Sequence, residues 1–116
     1  MIITSPAFRA LETAYIFAEA AGINPESVII NSNLYYKANL NLLLRIIGEL
    51  DEKITTITLF GHNPAFTELP DRLSKNGCEF VTKTSVVGIS FNVKTWAEVK
   101  TGQGQIDYFL KPEKAL

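Results

Sequence analysis

The run ITTITLFGHNP at residues 54–64 decides the fold that this sequence predicts. Residues 54–60 are rich in β-branched side chains and suit a largely buried strand. Gly61 and His62 break the strand sharply, and Asn63 can cap a new helix that has Pro64 at its first position. The run therefore predicts a strand that ends in a tight polar turn and opens directly into a helix.

The beginning of the chain, MIITSPAFR at residues 1–9, has the same design. Residues 1–4 predict a short apolar strand, and Ser5 is the predicted N-cap of a helix with Pro6 at its first position. From residue 6 to 21, Phe8 and other apolar residues recur at helical spacing, and Gly22 is a plausible stop. The chain thus contains two strand–turn–helix units.

The remaining segments predict further strands and helices. Apolar patterning favours a strand at residues 27–31, a helix at 39–50, and strands at 85–93 and 105–110. The helix that follows Pro64 contains Pro70, which should bend it or end its regular hydrogen bonding. We therefore expect one α/β domain spanning residues 1–116, with three layers: a mixed, mostly parallel sheet and flanking helices.

Composition excludes several classes of protein. Eleven basic and twelve acidic residues give a net charge of −1, which argues against a nucleic-acid or lipid-surface partner. No apolar run approaches the ~20 residues of a membrane span, and the N-terminus does not resemble a secretory signal. The lone Cys78 cannot form an internal disulfide and fits a reducing, cytoplasmic location. One histidine with scattered carboxylates predicts no metal site.

The two turns carry the candidate chemistry. Ligands of open α/β sheets bind beyond the carboxyl ends of strands, where helix N-termini favour anions. Arg9 can grip a phosphate with two hydrogen bonds, and a protonated His62 can donate to a phosphoryl oxygen. Ser5 and Asn63 are predicted neighbours of this phosphate pocket. Each residue also has a plainer interpretation: a helix start for Ser5, a solvated surface residue for Arg9, a hydrogen-bonded loop residue for His62 and a helix cap for Asn63.

Taken together, the motifs resemble one family. SPAFRALETA at residues 5–14 resembles the SPxxRAxxTA segment of the histidine phosphatase superfamily. LFGHNP at residues 59–64 resembles the GHNP signature of its small bacterial branch, the SixA-type phosphohistidine phosphatases. Leu34-Tyr35, residues 84–91, Trp96, and the segments at 102–104 and 108–112 are similar to other parts of that branch, so the resemblance follows the whole chain in order.

The resemblance implies a histidine-phosphatase-like fold and dephosphorylation of a phosphohistidine protein. In this family a histidine attacks the phosphoryl group in line and becomes phosphorylated, and water then releases inorganic phosphate and restores the histidine, without a cofactor. Arg9 matches an arginine that surrounds the phosphoryl oxygens, and His62 matches the second, non-nucleophilic histidine. Ser5 and Asn63 lie beside these positions. The expected ligands are therefore a phosphohistidine protein and inorganic phosphate or a similar anion.

One departure limits this expectation. The Arg-His-Gly or Arg-His-Ala motif that opens the family and supplies its nucleophile is absent, and His62 is the only histidine. We therefore expect the C-terminal portion of such a domain, lacking the first strand and helix and inactive alone. A misassigned start codon, a gene disruption or deliberate shortening would each explain this. Whether the chain is an enzyme stays open.

Two alternatives remain from the sequence. The chain could be a non-catalytic module of the same fold that binds phosphate or a phosphoprotein, or a structural domain that kept only the fold. Loss of a core strand exposes a sheet edge, which favours a homo-oligomer or rearranged strand pairing.

Overall fold

The centre of the structure, a computed structural model that describes residues 1–36 and 39–112 without the side chain of Tyr36, is a small parallel sheet. Its three strands are β1 (Ile2–Thr4), β2 (Ile29–Ile30) and β3 (Thr58–Phe60). Their order is β2–β1–β3, and both neighbours run parallel to β1. The α/β class with parallel strands is therefore confirmed.

Helices cover both faces of this sheet. Successive side chains of a strand point to opposite faces, so the apolar strand β1 presents apolar side chains on both of them. Ile2 lies in a buried cluster with Ala14 and Ala18, whereas Ile3 lies in a second cluster with Leu43. The four helices are α1 (Phe8–Ala20), α2 (Asn33–Tyr36), α3 (Leu40–Gly48) and α4 (Ala65–Leu73). Within the described ranges, no helix has the length and apolarity to cross a bilayer.

The end of α1 follows the prediction at Gly22. This glycine has a φ of +72°, and its N–H donates to the Glu19 carbonyl. The Ile23 N–H donates to the Ala18 carbonyl at 2.8 Å, so two of the last free carbonyls of the helix are satisfied. Glycine suits this position because it adopts a positive φ without a steric penalty.

The start of α3 depends on a side-chain cap. Asn39 has extended backbone angles, and its Oδ1 accepts a hydrogen bond of 2.9 Å from the Leu42 N–H. Leu43 and Ile47 are the buried residues of the helix, one turn apart on the face toward the sheet. The cap therefore fixes where the apolar stripe of α3 begins.

The helix α4 continues through Pro70, which is buried together with Leu69 and Leu73. Proline has no N–H for the carbonyl four residues earlier, so the regular hydrogen bonding of the helix is interrupted there. The helix nevertheless reaches Leu73, because its apolar face is packed into the core.

The strand predicted at residues 54–60 is shorter and less buried than expected. Only Thr58–Phe60 is a strand, and its residues are half-buried. The ladder pairs Ile2 with Thr58, which leaves residues 54–57 outside it. The Ile54 carbonyl instead accepts a hydrogen bond of 2.7 Å from the Trp96 indole N–H.

The prediction of one mixed sheet is wrong for the described residues. The strands β4 (Val86–Ser90) and β5 (Gln105–Leu110) form a separate antiparallel pair. The Leu59 backbone faces away from β1, as alternate residues of a parallel strand do, and no described residue hydrogen-bonds it. Apolar side chains rather than backbone bonds link the two sheets, since Leu59, Ile89 and Phe91 pack against the same core cluster.

The cap of α3 can be tested by replacing Asn39 with alanine. Losing the Oδ1 acceptor should lower the free energy of unfolding by about 1 kcal/mol, measured by urea denaturation. Asn41→Ala is the matched control, because Asn41 is exposed in the same helix and makes no side-chain hydrogen bond to a described residue. It should leave stability unchanged or raise it by roughly 0.5 kcal/mol. Equal losses in both variants would contradict the cap.

Candidate functional site

The carboxyl ends of all three parallel strands meet at one edge of the sheet. The Ser5 N–H donates to the Phe60 carbonyl at 2.8 Å, joining the ends of β1 and β3. The Asn31 N–H donates to the Thr4 carbonyl at 2.9 Å, joining the ends of β2 and β1. The turns that follow these strands are therefore side by side, and the two turns singled out in the sequence leave from neighbouring strands.

The side chain of Ser5 orders its own turn. Ser5 is fully buried, and its Oγ accepts a hydrogen bond of 3.1 Å from the Ala7 N–H. The prediction that Ser5 caps the helix is wrong, because α1 begins at Phe8 and Ala7 precedes it without a side-chain cap. A buried hydroxyl engaged in the turn shapes the approach to the helix; its contact with a ligand stays a prediction.

The N-terminus of α1 presents free backbone donors. The Leu11 N–H is the first to bond within the helix, to the Ala7 carbonyl, so the N–H groups of Phe8, Arg9 and Ala10 have no acceptor among the described residues. The first turn contains no acidic residue. Arg9 is exposed and forms no ion pair within the described part of the chain. These groups together favour an anion at this end of the helix.

His62 is exposed in the turn after β3. Its ring stands edge-on to the Tyr35 ring, with 5.5 Å between centroids and 66° between planes. The His62 ring nitrogens make no hydrogen bond to any described residue, so they remain available to a ligand. The sheet edge therefore carries an imidazole whose orientation is limited by one aromatic neighbour.

Tyr35 lies at this edge, although the sequence motifs include it only in the resemblance and give it no place in the site. It lies in α2, which follows the turn after β2. The signal was Asn31-Ser32-Asn33, a polar turn directly after a predicted strand. The Asn31 Oδ1 accepts a hydrogen bond of 3.0 Å from the Asn33 N–H, which closes this third turn.

Asn63 acts as a tether rather than as a cap. Its Nδ2 donates to the Val81 carbonyl at 2.7 Å, and its Oδ1 accepts from the Thr67 hydroxyl at 2.8 Å. The Val81 N–H donates to the same hydroxyl at 3.1 Å. The predicted cap is wrong, since Pro64, joined to Asn63 by a cis peptide bond, directly precedes α4 and has no side-chain cap. The predicted contact of Asn63 with phosphate stays a prediction.

Gly61 leaves space that an aromatic ring fills. A Cβ at Gly61 would overlap the ring of Phe66, which is the second residue of α4 and packs against the core. The absence of a side chain therefore allows the helix to fold back directly beneath the turn that holds His62.

Cys78 is poorly suited to act as a nucleophile. Burial raises the pKa of the Cys78 thiol, and the nearby carboxylates of Asp71 and Glu79 raise it further, against a smaller opposing effect of Lys111. A raised pKa disfavours the reactive thiolate. Among the described residues, no group of three or more His, Cys, Asp or Glu side chains could hold a metal ion.

The predicted site residues Ser5, Arg9, His62 and Asn63 thus follow the ends of two neighbouring strands, at one edge of the sheet. No hydrogen bond joins Arg9 to His62. Neither the groove along α1 nor the one beside Gly104 is lined by Ser5, Arg9, His62 or Asn63.

Comparison with known proteins found no match to this chain. No family model, no curated protein and no solved structure matches the chain. The resemblance to histidine phosphatases therefore rests on sequence motifs alone, above all those at residues 5–14 and 59–64.

The role of Gly61 can be tested with Gly61→Ala. The added methyl group must displace the Phe66 ring, which should lower the free energy of unfolding by about 1–3 kcal/mol. Gly48→Ala is the matched control, because a Cβ there would meet only the Ala97 Cα at 3.8 Å, an ordinary contact. Adding Phe66→Leu to Gly61→Ala should recover part of the loss. A Gly61→Ala variant as stable as Gly48→Ala in urea denaturation would refute the packing argument.

Proposed function

We propose that the edge formed by the ends of β1 and β3 binds the phosphoryl group of a phosphohistidine protein, in a fold of the histidine phosphatase type. The observation that carries this proposal is the hydrogen bond from Ser5 to Phe60. It aligns the start of the Arg9 helix with the turn of His62, the two positions that the resemblance assigns to phosphoryl binding.

The charges at this edge support an anionic ligand. Arg9 has no carboxylate partner among the described residues, and the first-turn N–H groups of α1 add partial positive charge. A guanidinium matches the geometry of phosphoryl oxygens with two parallel hydrogen bonds. His62 contributes a further donor when protonated.

For these 116 residues we propose binding without turnover. The resemblance implies an in-line attack by a histidine and a phosphoenzyme intermediate, and His62 matches the supporting position. No second imidazole is present, and the raised pKa of Cys78 disfavours a thiolate substitute. The chain is thus a phosphohistidine-phosphatase-like domain that holds a phosphoryl group, and the non-catalytic binding module is the form of this function that its residues favour.

The single cysteine is typical of proteins in a reducing compartment. We therefore propose that the domain meets its phosphoprotein in the cytoplasm.

Arg9→Ala tests the binding proposal. Loss of a charge-assisted pair of hydrogen bonds should weaken the affinity for a phosphohistidine peptide by about tenfold or more, measured by calorimetric titration. Arg45→Ala is the matched control, because Arg45 is exposed on α3 and makes no ion pair with a described residue. His62→Gln should weaken binding less than Arg9→Ala, since it removes a donor but not a permanent charge. Equal affinity in Arg9→Ala and Arg45→Ala would overturn the proposed site.

A turnover assay tests the absence of catalysis. We expect phosphate release from the same peptide at the rate of a protein-free blank, because the covalent route requires a nucleophile that these residues do not supply. Phosphorus NMR follows both the peptide and the released phosphate. Turnover that disappears in His62→Ala would show that His62 itself attacks, contrary to the proposal.

A further inference from the structure

The helix α1 directs two of its larger apolar side chains, Phe8 and Ile16, away from the sheet, whereas its Phe17 ring lies against Phe60 of β3. Ala14 and Ala18 are fully buried against the sheet. On the outer side, Phe8 is 78% exposed and Ile16 is 61% exposed. Large apolar side chains of an amphipathic helix normally face the core, so α1 has a second apolar face that the described residues do not cover.

This outer face forms a shallow depression of about 370 Å³, here called the groove, that is open to solvent and lies along α1 alone. Its lining residues are Phe8, Leu11, Glu12, Tyr15, Ile16 and Glu19. Phe8, Glu12, Tyr15 and Glu19 follow one another at intervals of three or four residues, which places them along one stripe of the helix. The apolar surface and the two carboxylates therefore belong to a single surface.

The groove carries a net negative charge. Glu12 and Glu19 are exposed, and neither forms an ion pair with any described residue. Arg9 lies on the border, about 100° round the helix from Phe8. One cation beside two carboxylates leaves a net negative rim around an apolar floor.

We propose that this groove binds an amphipathic helix of a partner protein, with apolar residues at helical spacing and Lys or Arg beside them. A helix lays its apolar face into such a groove through residues three and four apart. Basic residues beside these anchors meet Glu12 and Glu19, which speeds association and excludes acidic partners. The inference is independent of phosphoryl binding, because it uses the side of α1 rather than its end.

A second copy of this chain is a poorer occupant. Two α1 helices related by a two-fold axis would bring four carboxylates around one apolar contact, with only the two Arg9 side chains to offset them. Like charges at an interface oppose association, so self-pairing through this face works against its own electrostatics.

The test uses fluorescein-labelled helical peptides of about 18 residues, or about five turns. One peptide carries leucines at helical spacing flanked by lysines, the second replaces the lysines with glutamates, and the third is a scrambled version of the first. Fluorescence anisotropy with the full chain should give saturable binding for the lysine peptide, at least about tenfold tighter than for the other two. Equal binding of all three would overturn the proposal.

Variants locate the binding surface. Ile16→Glu should weaken binding of the lysine peptide by about tenfold or more. Phe80→Ser, at a residue 63% exposed and outside the groove, should leave it unchanged. Glu12→Lys with Glu19→Lys should reverse the preference toward the glutamate peptide, and circular dichroism checks that each variant folds. An unreversed preference would overturn the charge argument, and a concentration-dependent dimer abolished by Ile16→Glu would show that a second copy covers the face instead.

Discussion

The backbone hydrogen bond from the Ser5 N–H to the Phe60 carbonyl is the contact on which the candidate site depends. At 2.8 Å it is the last bond of the ladder between β1 and β3, and it lies where both strands give way to turns. Neither the Arg9 nor the His62 side chain makes a hydrogen bond to any described residue that would position it. Their common location at the sheet edge therefore follows from the alignment of β1 with β3, because each residue follows the end of its strand after a short turn.

Sequence patterns predicted the features that neighbouring residues decide. The strand–turn–helix units, the stop at Gly22 and the helix start at Asn39 depend on contacts within a few residues, and the structure contains them. The caps assigned to Ser5 and Asn63 were wrong for a physical reason. Burial directed the Ser5 hydroxyl into its own turn, and Val81, far along the chain, engaged the Asn63 amide. Cap rules describe local preference and contain no information on such distant partners.

The predicted mixed sheet failed for a related reason. A β-branched run indicates that a segment suits a strand, but strand length and sheet membership require a partner in register. Only the last three residues of the run pair with β1, while the Ile54 carbonyl accepts a hydrogen bond from the Trp96 indole. The contact of Tyr35 with His62 is likewise tertiary, because it joins turns that follow different strands.

The small residues on the inner side of α1 connect the two proposed surfaces. Ala14 and Ala18 let the helix lie close to the sheet, and the Ala7 carbonyl anchors its first turn directly after the β1 turn. With alanines on the inner side, the larger residues Phe8 and Ile16 lie on the solvent side of the helix. Burial of each by a partner would stabilise a complex by about 1.5–3 kcal/mol. Phe8 immediately precedes Arg9 in the chain. The two proposed surfaces therefore adjoin at Phe8 and Arg9, with the outer face of α1 running along the helix and the phosphoryl site at its first turn.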